Sequence, residues 1–536
     1  MPKVKNIILY CALTITALWI VIYHVSLIKF PYQQELREGA IVFFTHNLLI
    51  NLPSFSLEAL PVGANPYGAL FQYLCYPFAK VFGATLIVHR IVSGICIALC
   101  CLVVYKWGRK ADLPRTTCLA ISCLFYLSLL YGSTPLARPD SLGLLLFLLS
   151  LFIPYRFQFS TASLFISIII NVAILYTKIY FLVAPLIISI YLFTFISKLK
   201  SLSYSSILFL FIIIALNIGE NVYPTFINLI FGSMSAAVIY SKGYATRQFL
   251  FFSETYAPLM WLSTIILVAT CIKKYSRIKD LMLKMNVRDL FQYIDITHLN
   301  YPLISYRLNF SHCCLIISGL ILALLFGKND GAWMTYFYQL LSPFLLLSIG
   351  NLYSKYKQNI IFVIIVLICT ARMFYLYFPT ISELMSLNNL SNIDRIIDEN
   401  QKVFASPAMT TMLLQKNRTI YDTGLSGSSW ISKIESPPFK EHFTKLNHEI
   451  DERNETYKKS LNLKIYSQFF DILLVSGNTL GFEEADLNNA GYYLIKKIPI
   501  LMAHTGQHWE VDIWSRKGQT LNSEGKAVDD LPLQKP

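Results

Sequence analysis

Charged residues are scarce in this chain. They make up 14% of its 536 residues, against about 25% in an average soluble protein. Hydrophobic residues make up 55%, and the mean hydropathy is +0.51. This composition excludes an ordinary soluble globular protein. It predicts a polytopic α-helical membrane protein, because each helix that crosses a bilayer needs about 20 consecutive apolar residues.

Three further absences narrow the class. The eleven cysteines show no metal-ligand or redox spacing, so neither a zinc site nor a disulfide framework is predicted. The first apolar run lacks a small-residue cleavage site near its end, so it is predicted to remain as a first span. No internal repeat of fixed period occurs, which argues against transporters built from repeated halves.

The long apolar stretches predict about eleven transmembrane helices. With a cytoplasmic amino terminus, most Lys and Arg residues fall in inner loops. The positive-inside rule then accounts for the net charge of +14 without a nucleic-acid partner. We therefore expect a protein of the plasma (inner) membrane with lipids as neighbours. The predicted spans are residues 6–28, 84–105, 116–132, 140–155, 161–177, 179–197, 204–219, 256–272, 311–326, 333–350 and 359–378.

The chain is predicted to divide at about residue 380. Residues 1–380 form the transmembrane part, and residues 381–536 form an extracytoplasmic α/β domain, since an odd number of spans puts it outside. The β-like runs there are KVFASP, RTIYD, FFDILLVS, YYLIKKIPIL and WEVDIWS, and the helix-like SNIDRIIDENQ lies among them. The final GKAVDDLPLQKP is predicted to be a disordered tail.

The first outer loop, residues 29–83, is too long for a simple turn. It contains LFQYLCYPFAKVF, whose mixture of aromatic and apolar residues predicts a helix lying along the membrane interface. The loop opens with FPYQQELREGA, in which Glu35 and Glu38 are three positions apart and share one face if the stretch is helical. Either these charges keep a surface loop solvated, or one carboxylate is a general base whose pKa is raised by partial desolvation.

Further ionisable groups lie at the predicted outer ends of other spans. Arg138 and Asp140 bracket a proline before the fourth span, where either Asp140 or Ser141 caps the helix or Asp140 has a functional role. Lys178 lies at the join of two spans, where it either snorkels to headgroups or contacts a lipid-linked phosphate. Other candidate cationic contacts at outer positions are His89, Arg90 and Arg247.

Several of these segments follow one another within residues 1 to about 380: ELREGA, NPYGALFQYLCYPFAKVFG, ARPDSLGLLLFLLSLF, YTKIYF and GKNDGAWMTYFYQLLSPFLLL. In this order they resemble the GT-C superfamily of integral-membrane glycosyltransferases, in particular the family 39-like proteins related to protein mannosyltransferases and the lipid A aminoarabinose transferase. The resemblance implies an acidic base in the first outer loop, at Glu38 or Glu35, with Glu38 before Gly39 the better match. It places a second acidic residue on Asp140 and a lysine on Lys178.

The resemblance also implies a reaction. A sugar passes with inversion from a polyprenyl-phosphate donor to a lipid, glycan or protein acceptor at the outer face. Polyprenyl phosphate is a good leaving group, so the site needs one carboxylate to take the acceptor proton and cations to hold the phosphate. No cofactor is predicted, and a divalent metal requirement stays open. The expected phosphate contacts are Arg138, Lys178, Arg247 and Arg90.

Other functions fit a multispanning chain with outer cations. A flippase or transporter of lipid-linked saccharides is one, but transport requires neither the long first loop nor the large outer domain. A polysaccharide polymerase or ligase is another, but its large loop is expected between late spans, whereas here the large loop is the first. A membrane scaffold leaves Asp140 and Lys178 unexplained.

Overall fold

In its computed structural model the chain is mostly helical, with a small sheet towards the carboxyl end. This confirms the coarse fold class expected from the sequence. The structure describes residues 2–53, 55–129, 136–236, 244–262, 264–265, 309–322, 338–356, 360–377, 381–400, 402–423, 440–476, 484–502, 507–516, 519–521 and 527–529.

The helices follow the apolar stretches of the sequence. An apolar surrounding requires each backbone N–H and C=O group to be satisfied within its own segment, and a helix does this. Short 3₁₀ turns occur at Leu57–Ala59 and Ile179–Phe181. The helices are α1 (Pro2–Lys29), α2 (Leu36–Leu49), α3 (Leu70–Phe82), α4 (Leu86–Lys110), α5 (Arg115–Leu129), α6 (Asp140–Arg156), α7 (Thr161–Leu175), α8 (Ala184–Phe195), α9 (Lys198–Val222), α10 (Phe226–Ala236), α11 (Tyr244–Thr255), α12 (Asn309–Ile321), α13 (Tyr338–Tyr356) and α14 (Ile360–Tyr377).

Three of the described helices are long and apolar enough to cross a bilayer: Ile7–Lys29, Leu86–Lys110 and Lys198–Val222. Large apolar side chains on them are exposed, as at Ile15 (68%) and Phe209 (67%), which fits contact with lipid better than contact with water. The count of eleven spans stays a prediction, and part of it falls on residues 266–308, outside the described residues. Shorter apolar helices are Arg115–Leu129, Thr161–Leu175, Ile179–Phe195, Phe310–Ile321 and Ile361–Met373.

The core of the helical part is built around α4, which packs on α5 and α6. Trp107 of α4 is wholly buried. Its ring stacks on Phe310 of α12, with centroids 5.8 Å apart, and lies 5.7 Å from the ring of Tyr155 of α6. Such aromatic clusters bury large apolar areas, so they fix the mutual positions of the helices that carry the site.

The predicted interfacial helix LFQYLCYPFAKVF coincides with α3. One face of α3 is buried against the protein through Phe71, Cys75 and Ala79. The other face exposes Phe78 (48%) and Val81 (73%). A helix that is apolar on both faces fits a position between the protein and lipid, although its placement at the membrane surface stays a prediction.

A mixed sheet with the strand order β1-β2-β4-β3 forms the centre of the carboxyl-terminal region. β1 pairs with β2 in parallel, and the other pairs are antiparallel. β2 is buried along its whole length, because it lies inside the sheet. The remaining elements are β1 (Val403–Ala405), β2 (Ile472–Ser476), β3 (Tyr492–Met502), β4 (Gln507–Arg516), β5 (Gln519–Leu521), β6 (Ala527–Asp529), α15 (Ile381–Glu399), α16 (Thr410–Gln415), α17 (Lys440–Tyr466) and α18 (Glu484–Asn489).

Two expectations for this region are wrong. The run RTIYD, residues 418–422, forms no strand. Its Tyr421 instead stands edge-on to Phe470, at 5.0 Å between centroids, and Tyr457 donates a hydrogen bond to the Tyr421 carbonyl. Part of the predicted disordered tail is ordered as β6, where Val528 pairs opposite Thr520 of β5. β-branched residues such as these favour strands.

The carboxyl-terminal region packs directly on the first loop. The side chain of Gln33 accepts a hydrogen bond from the backbone N–H of Thr411 (2.9 Å) and donates one to the carbonyl of Pro407 (3.2 Å). Gly39 permits this approach, because a Cβ atom there would lie 2.6 Å from the Cβ atom of Thr410. The start of α2 is therefore held by the apolar helices on one side and by the carboxyl-terminal region on the other.

Candidate active site

Glu38 is fully buried in the first turn of α2 and bonded on all sides. Its two carboxylate oxygens accept hydrogen bonds from Arg90 Nε (2.9 Å) and Nη2 (2.8 Å), and from the backbone N–H groups of Gln34 (2.7 Å) and Ala137 (2.7 Å). A carboxylate offers about four lone-pair sites. Glu38 therefore has no acceptor capacity left for a substrate hydroxyl.

Arg90 is saturated in the same way. Besides its two bonds to Glu38, Nη1 donates to the carbonyls of Leu27 (3.2 Å) and Phe30 (2.5 Å), and Nη2 donates to the carbonyl of Tyr32 (2.7 Å). All five N–H groups of the guanidinium are used, and two of the acceptors lie at or just beyond the end of α1, where carbonyls lack helical partners. This geometry disfavours the predicted phosphate contact at Arg90 and gives it a structural role instead.

The pKa of Glu38 moves in the direction opposite to the expectation for a general base. Burial by itself would raise the pKa of this carboxyl. Arg90 and the two backbone N–H groups outweigh that effect, so the pKa lies below its ordinary value. A weakly basic, fully bonded carboxylate is a poor proton acceptor, and the preference for Glu38 over Glu35 is therefore reversed.

Glu35 is the N-cap residue of α2. One carboxylate oxygen accepts the backbone N–H of Arg37 (2.8 Å), which satisfies a donor that the helix leaves unpaired. The other oxygen, Oε1, lies 3.5 Å from Nη1 of Arg138. Glu35 is 4% exposed, so it is not a solvating charge of a surface loop. Its Oε1 is held more loosely than the carboxylate oxygens of Glu38.

Asp140 joins two cations that the sequence places 40 residues apart. Its Oδ2 lies 3.0 Å from Nε of Arg138, and its Oδ1 accepts from Nζ of Lys178 (2.6 Å) and from the hydroxyl of Tyr180 (2.7 Å). The helix cap at this point is Pro139, so Asp140 is not a capping residue. Lys178 is 5% exposed, so it does not snorkel. Helix capping by Asp140 and snorkelling by Lys178, two explanations that the sequence allows, are thus wrong.

Two residues of the site, Tyr67 and Arg37, are not predicted from the sequence as members of it. The Tyr67 hydroxyl accepts a hydrogen bond from Arg37 Nη1 (3.1 Å), and Nζ of Lys178 lies 4.6 Å from the Tyr67 ring centroid. Burial would raise the pKa of Tyr67, but Arg37, Lys178 and Arg138 outweigh it and hold the pKa below its usual value. The only signal in the sequence is a tyrosine before a glycine in NPYG.

Gly68, the glycine of NPYG, lets the first loop pack against the segment between α7 and α8. The backbone N–H of Gly68 donates to the carbonyl of Thr177 (3.1 Å), and that of Leu70 donates to the carbonyl of Tyr176 (2.8 Å). A Cβ atom on Gly68 would lie 2.0 Å from the carbonyl carbon of Tyr176, so only glycine fits. This contact sets Tyr67 beside Lys178.

Outside the Glu38–Arg90 pair, three cations and two carboxylates lie together among the described side chains. Cations gathered in this way favour a bound anion, and phosphate suits them because its oxygens accept several charge-assisted hydrogen bonds. The residues are Glu35 and Asp140 on one side, and Arg37, Arg138 and Lys178 on the other.

The remaining candidates lie apart from this arrangement. Both ring nitrogens of His89 are engaged, Nδ1 with the Thr85 carbonyl (2.7 Å) and Nε2 with the Thr45 hydroxyl (2.8 Å). Arg247 belongs to α11, and its side chain is outside the described part of the structure, so its role stays a prediction. Within the described ranges, no group of three or more His, Cys, Asp and Glu side chains is placed to hold a metal ion.

Comparison with family models and with curated proteins adds no relative. No family model matches the chain, and no curated protein matches it significantly. The resemblance to GT-C glycosyltransferases therefore rests on the segments quoted above.

Proposed function

We propose that the protein is a GT-C-type membrane glycosyltransferase that moves a sugar from a polyprenyl-phosphate donor to a lipid, glycan or protein acceptor. One observation carries the proposal. A loosely held carboxylate oxygen, Oε1 of Glu35, lies 3.5 Å from the buried cation Arg138, in a cluster that also holds Lys178 and Asp140 beside apolar helices. Such a cluster offers both a proton acceptor and a phosphate site, which are what this transfer needs.

The reaction is a single displacement. Glu35 takes the proton of the acceptor hydroxyl while the oxygen of that hydroxyl bonds to the anomeric carbon of the sugar. The bond from that carbon to the phosphate oxygen breaks, and the phosphate leaves with the electron pair, so the configuration inverts. Arg138 and Lys178 neutralise the charge on the leaving phosphate. Asp140, which pairs with both, fixes their positions.

The membrane setting belongs to the same proposal. We infer eleven spans in the inner membrane, with the amino terminus cytoplasmic and the carboxyl-terminal region outside. The apolar outer face of α3, including Phe78 and Val81, then borders the lipid, and the prenyl chain enters from the side. The carboxyl-terminal region, docked on Gln33, helps to form the acceptor side.

The proposal is tested with the full chain in proteoliposomes supplied with polyprenyl-phosphate sugars carrying a labelled sugar. Wild-type protein should move the label from the prenyl carrier to a lipid, glycan or protein fraction, and Glu35→Gln should not. Passage of labelled donor across the bilayer without transfer would support a flippase and contradict the enzyme.

A further inference from the structure

Among the described residues, the hydroxyl group of Tyr67 has a hydrogen-bond donor as its neighbour but no hydrogen-bond acceptor. Tyr67 is 8% exposed, and its oxygen accepts a hydrogen bond from Nη1 of Arg37 at 3.1 Å. A guanidinium has no acceptor, so the proton of the phenol cannot be given to Arg37. Within the described part of the chain, no acceptor lies against this hydroxyl. A buried O–H without an acceptor is costly, and this indicates that a ligand supplies one.

The surroundings of Tyr67 select an anionic ligand. Three cations face it from three different elements, and one carboxylate, Asp140, faces it from α6. Arg37 comes from α2, Arg138 from the turn before α6, and Lys178 from the join before the 3₁₀ turn. An anion bound among these groups would be attracted by the cations and could accept the proton of Tyr67.

We propose that Tyr67 donates a hydrogen bond to the phosphate of the lipid-linked donor, and that Arg37 fixes the phenol in the orientation needed for this. The inference rests on the proposed function and adds to it a phosphate-binding residue from the first loop. Tyr67 and Lys178 then contact one phosphate from opposite sides of the Gly68 junction.

A hydrogen bond from Tyr67 to phosphate should make the affinity for the polyprenyl-phosphate donor depend on pH. Only the protonated phenol donates a hydrogen bond, and a phenolate repels phosphate. Because the neighbouring cations hold the pKa of Tyr67 below its usual value, donor affinity should fall at moderately alkaline pH. A phenylalanine at this position keeps the ring beside Lys178 and removes the titrating group, so that part of the pH dependence should disappear.

The test is binding of polyprenyl phosphate, without sugar, to the full chain in nanodiscs. Tyr67→Phe should bind it about 10- to 100-fold more weakly than wild type, the range for losing a hydrogen bond to a charged group. Tyr76→Phe is the matched control. Tyr76 lies in the same loop with Lys80 Nζ 4.6 Å from its ring centroid, the same distance as that of Lys178 from Tyr67, and its substitution should leave affinity unchanged.

The outcomes separate the two proposals. If wild type binds polyprenyl phosphate and folded Tyr67→Phe binds it equally well, the role of Tyr67 is overturned while the proposed function stands. If wild type does not bind it, both fall. If Tyr67→Phe does not fold, the test is the pH dependence of polyprenyl-phosphate binding to the wild-type protein. An affinity that does not fall as pH rises from about 7 to about 10, the usual pKa of tyrosine, overturns the assignment.

Discussion

Two glutamate–arginine pairs at the start of α2 have the same chemistry and different surroundings. In the pair Glu38–Arg90, every carboxylate lone pair and every guanidinium N–H group is bonded within the protein. In the pair Glu35–Arg138, the closest approach is 3.5 Å. Both pairs are buried. Burial therefore does not distinguish a structural carboxylate from a functional one, whereas the hydrogen-bonding capacity that remains does.

The physical reason lies in the cost of burying charge. A buried ion pair must be fully hydrogen-bonded to offset its desolvation, and a pair that achieves this has nothing left for a ligand. A site for a charged substrate must keep some capacity until the substrate arrives. Arg138, Lys178 and Asp140 form such an arrangement together with Glu35, since Oε1 of Glu35 comes no closer than 3.5 Å to Arg138.

The largest effect on stability should come from breaking the saturated pair. Glu38→Gln leaves the charge of Arg90 buried without a counter-charge, and the free energy of unfolding should fall by about 3–5 kcal/mol. Glu35→Gln is the control. It keeps an oxygen for the N-cap bond and should cost at most about 1 kcal/mol. Thermal unfolding of the detergent-solubilised protein checks both, and equal losses would remove the distinction between the two pairs.

Binding of the polyprenyl-phosphate donor should depend on Lys178, which shares Asp140 with Arg138 of the pair Glu35–Arg138. Lys178→Met removes a cation from the phosphate site and should weaken polyprenyl-phosphate affinity by about 1.5–3 kcal/mol, the usual value for a hydrogen bond to a charged group. Lys80→Met, which removes a cation from beside a ring on exposed α3, should leave affinity unchanged. Equal affinity in wild type and Lys178→Met, measured by titration in nanodiscs, would refute the phosphate contact.

The close contact of the first loop with the segment between α7 and α8 depends on Gly68. Gly68→Ala places a Cβ atom 2.0 Å from the Tyr176 carbonyl carbon and should cost about 1–3 kcal/mol of stability. It should also weaken donor binding, because Tyr67 moves away from Lys178. Gly319→Ala, where no atom lies within 4 Å of the new Cβ, is the control. It should not destabilise, since alanine favours helix. A Gly68→Ala protein with unchanged unfolding would contradict the close contact.

Acid should weaken the saturated pair by a smaller amount. The pKa of Glu38 in the folded protein lies below its usual value of 4.5. Its contribution to stability is therefore complete above that value and is lost as pH falls through the folded-state pKa. As pH falls below 4.5, the unfolding temperature of wild type should fall more steeply than that of Glu38→Gln. If the unfolding temperatures of the two proteins change in parallel with pH, Glu38 has the same pKa in the folded and unfolded states.

The sequence predicts which residues lie close together more accurately than it predicts their hydrogen-bond partners. Glu35, Arg138, Asp140 and Lys178 were expected at one outer site, and they lie together. LFQYLCYPFAKVF was expected to be a helix, and it is one. These features follow from local periodicity and from the ends of apolar runs.

Other features depend on tertiary geometry that no local pattern records. Nothing in HRIVSG shows that Arg90 will use its whole guanidinium on α2 and on the end of α1. Nothing in NPYG shows that Gly68 touches the backbone of Tyr176. The full hydrogen bonding of Glu38 is hidden for the same reason, since a glutamate before glycine resembles the family pattern while its bonding partners include Arg90 of α4 and the backbone of Ala137.

We propose that Glu35, and not Glu38, accepts the proton of the acceptor hydroxyl. The direct test is the rate of sugar transfer per folded molecule for Glu35→Gln and Glu38→Gln, with the folded fraction of each measured in the same samples. Glu35→Gln should stay folded and lose about 10²- to 10⁴-fold in rate, the usual contribution of a general base. Glu38→Gln should be less stable, and the molecules that remain folded should transfer sugar at close to the wild-type rate. The reverse result, a folded and active Glu35→Gln beside a folded and inactive Glu38→Gln, would contradict the account.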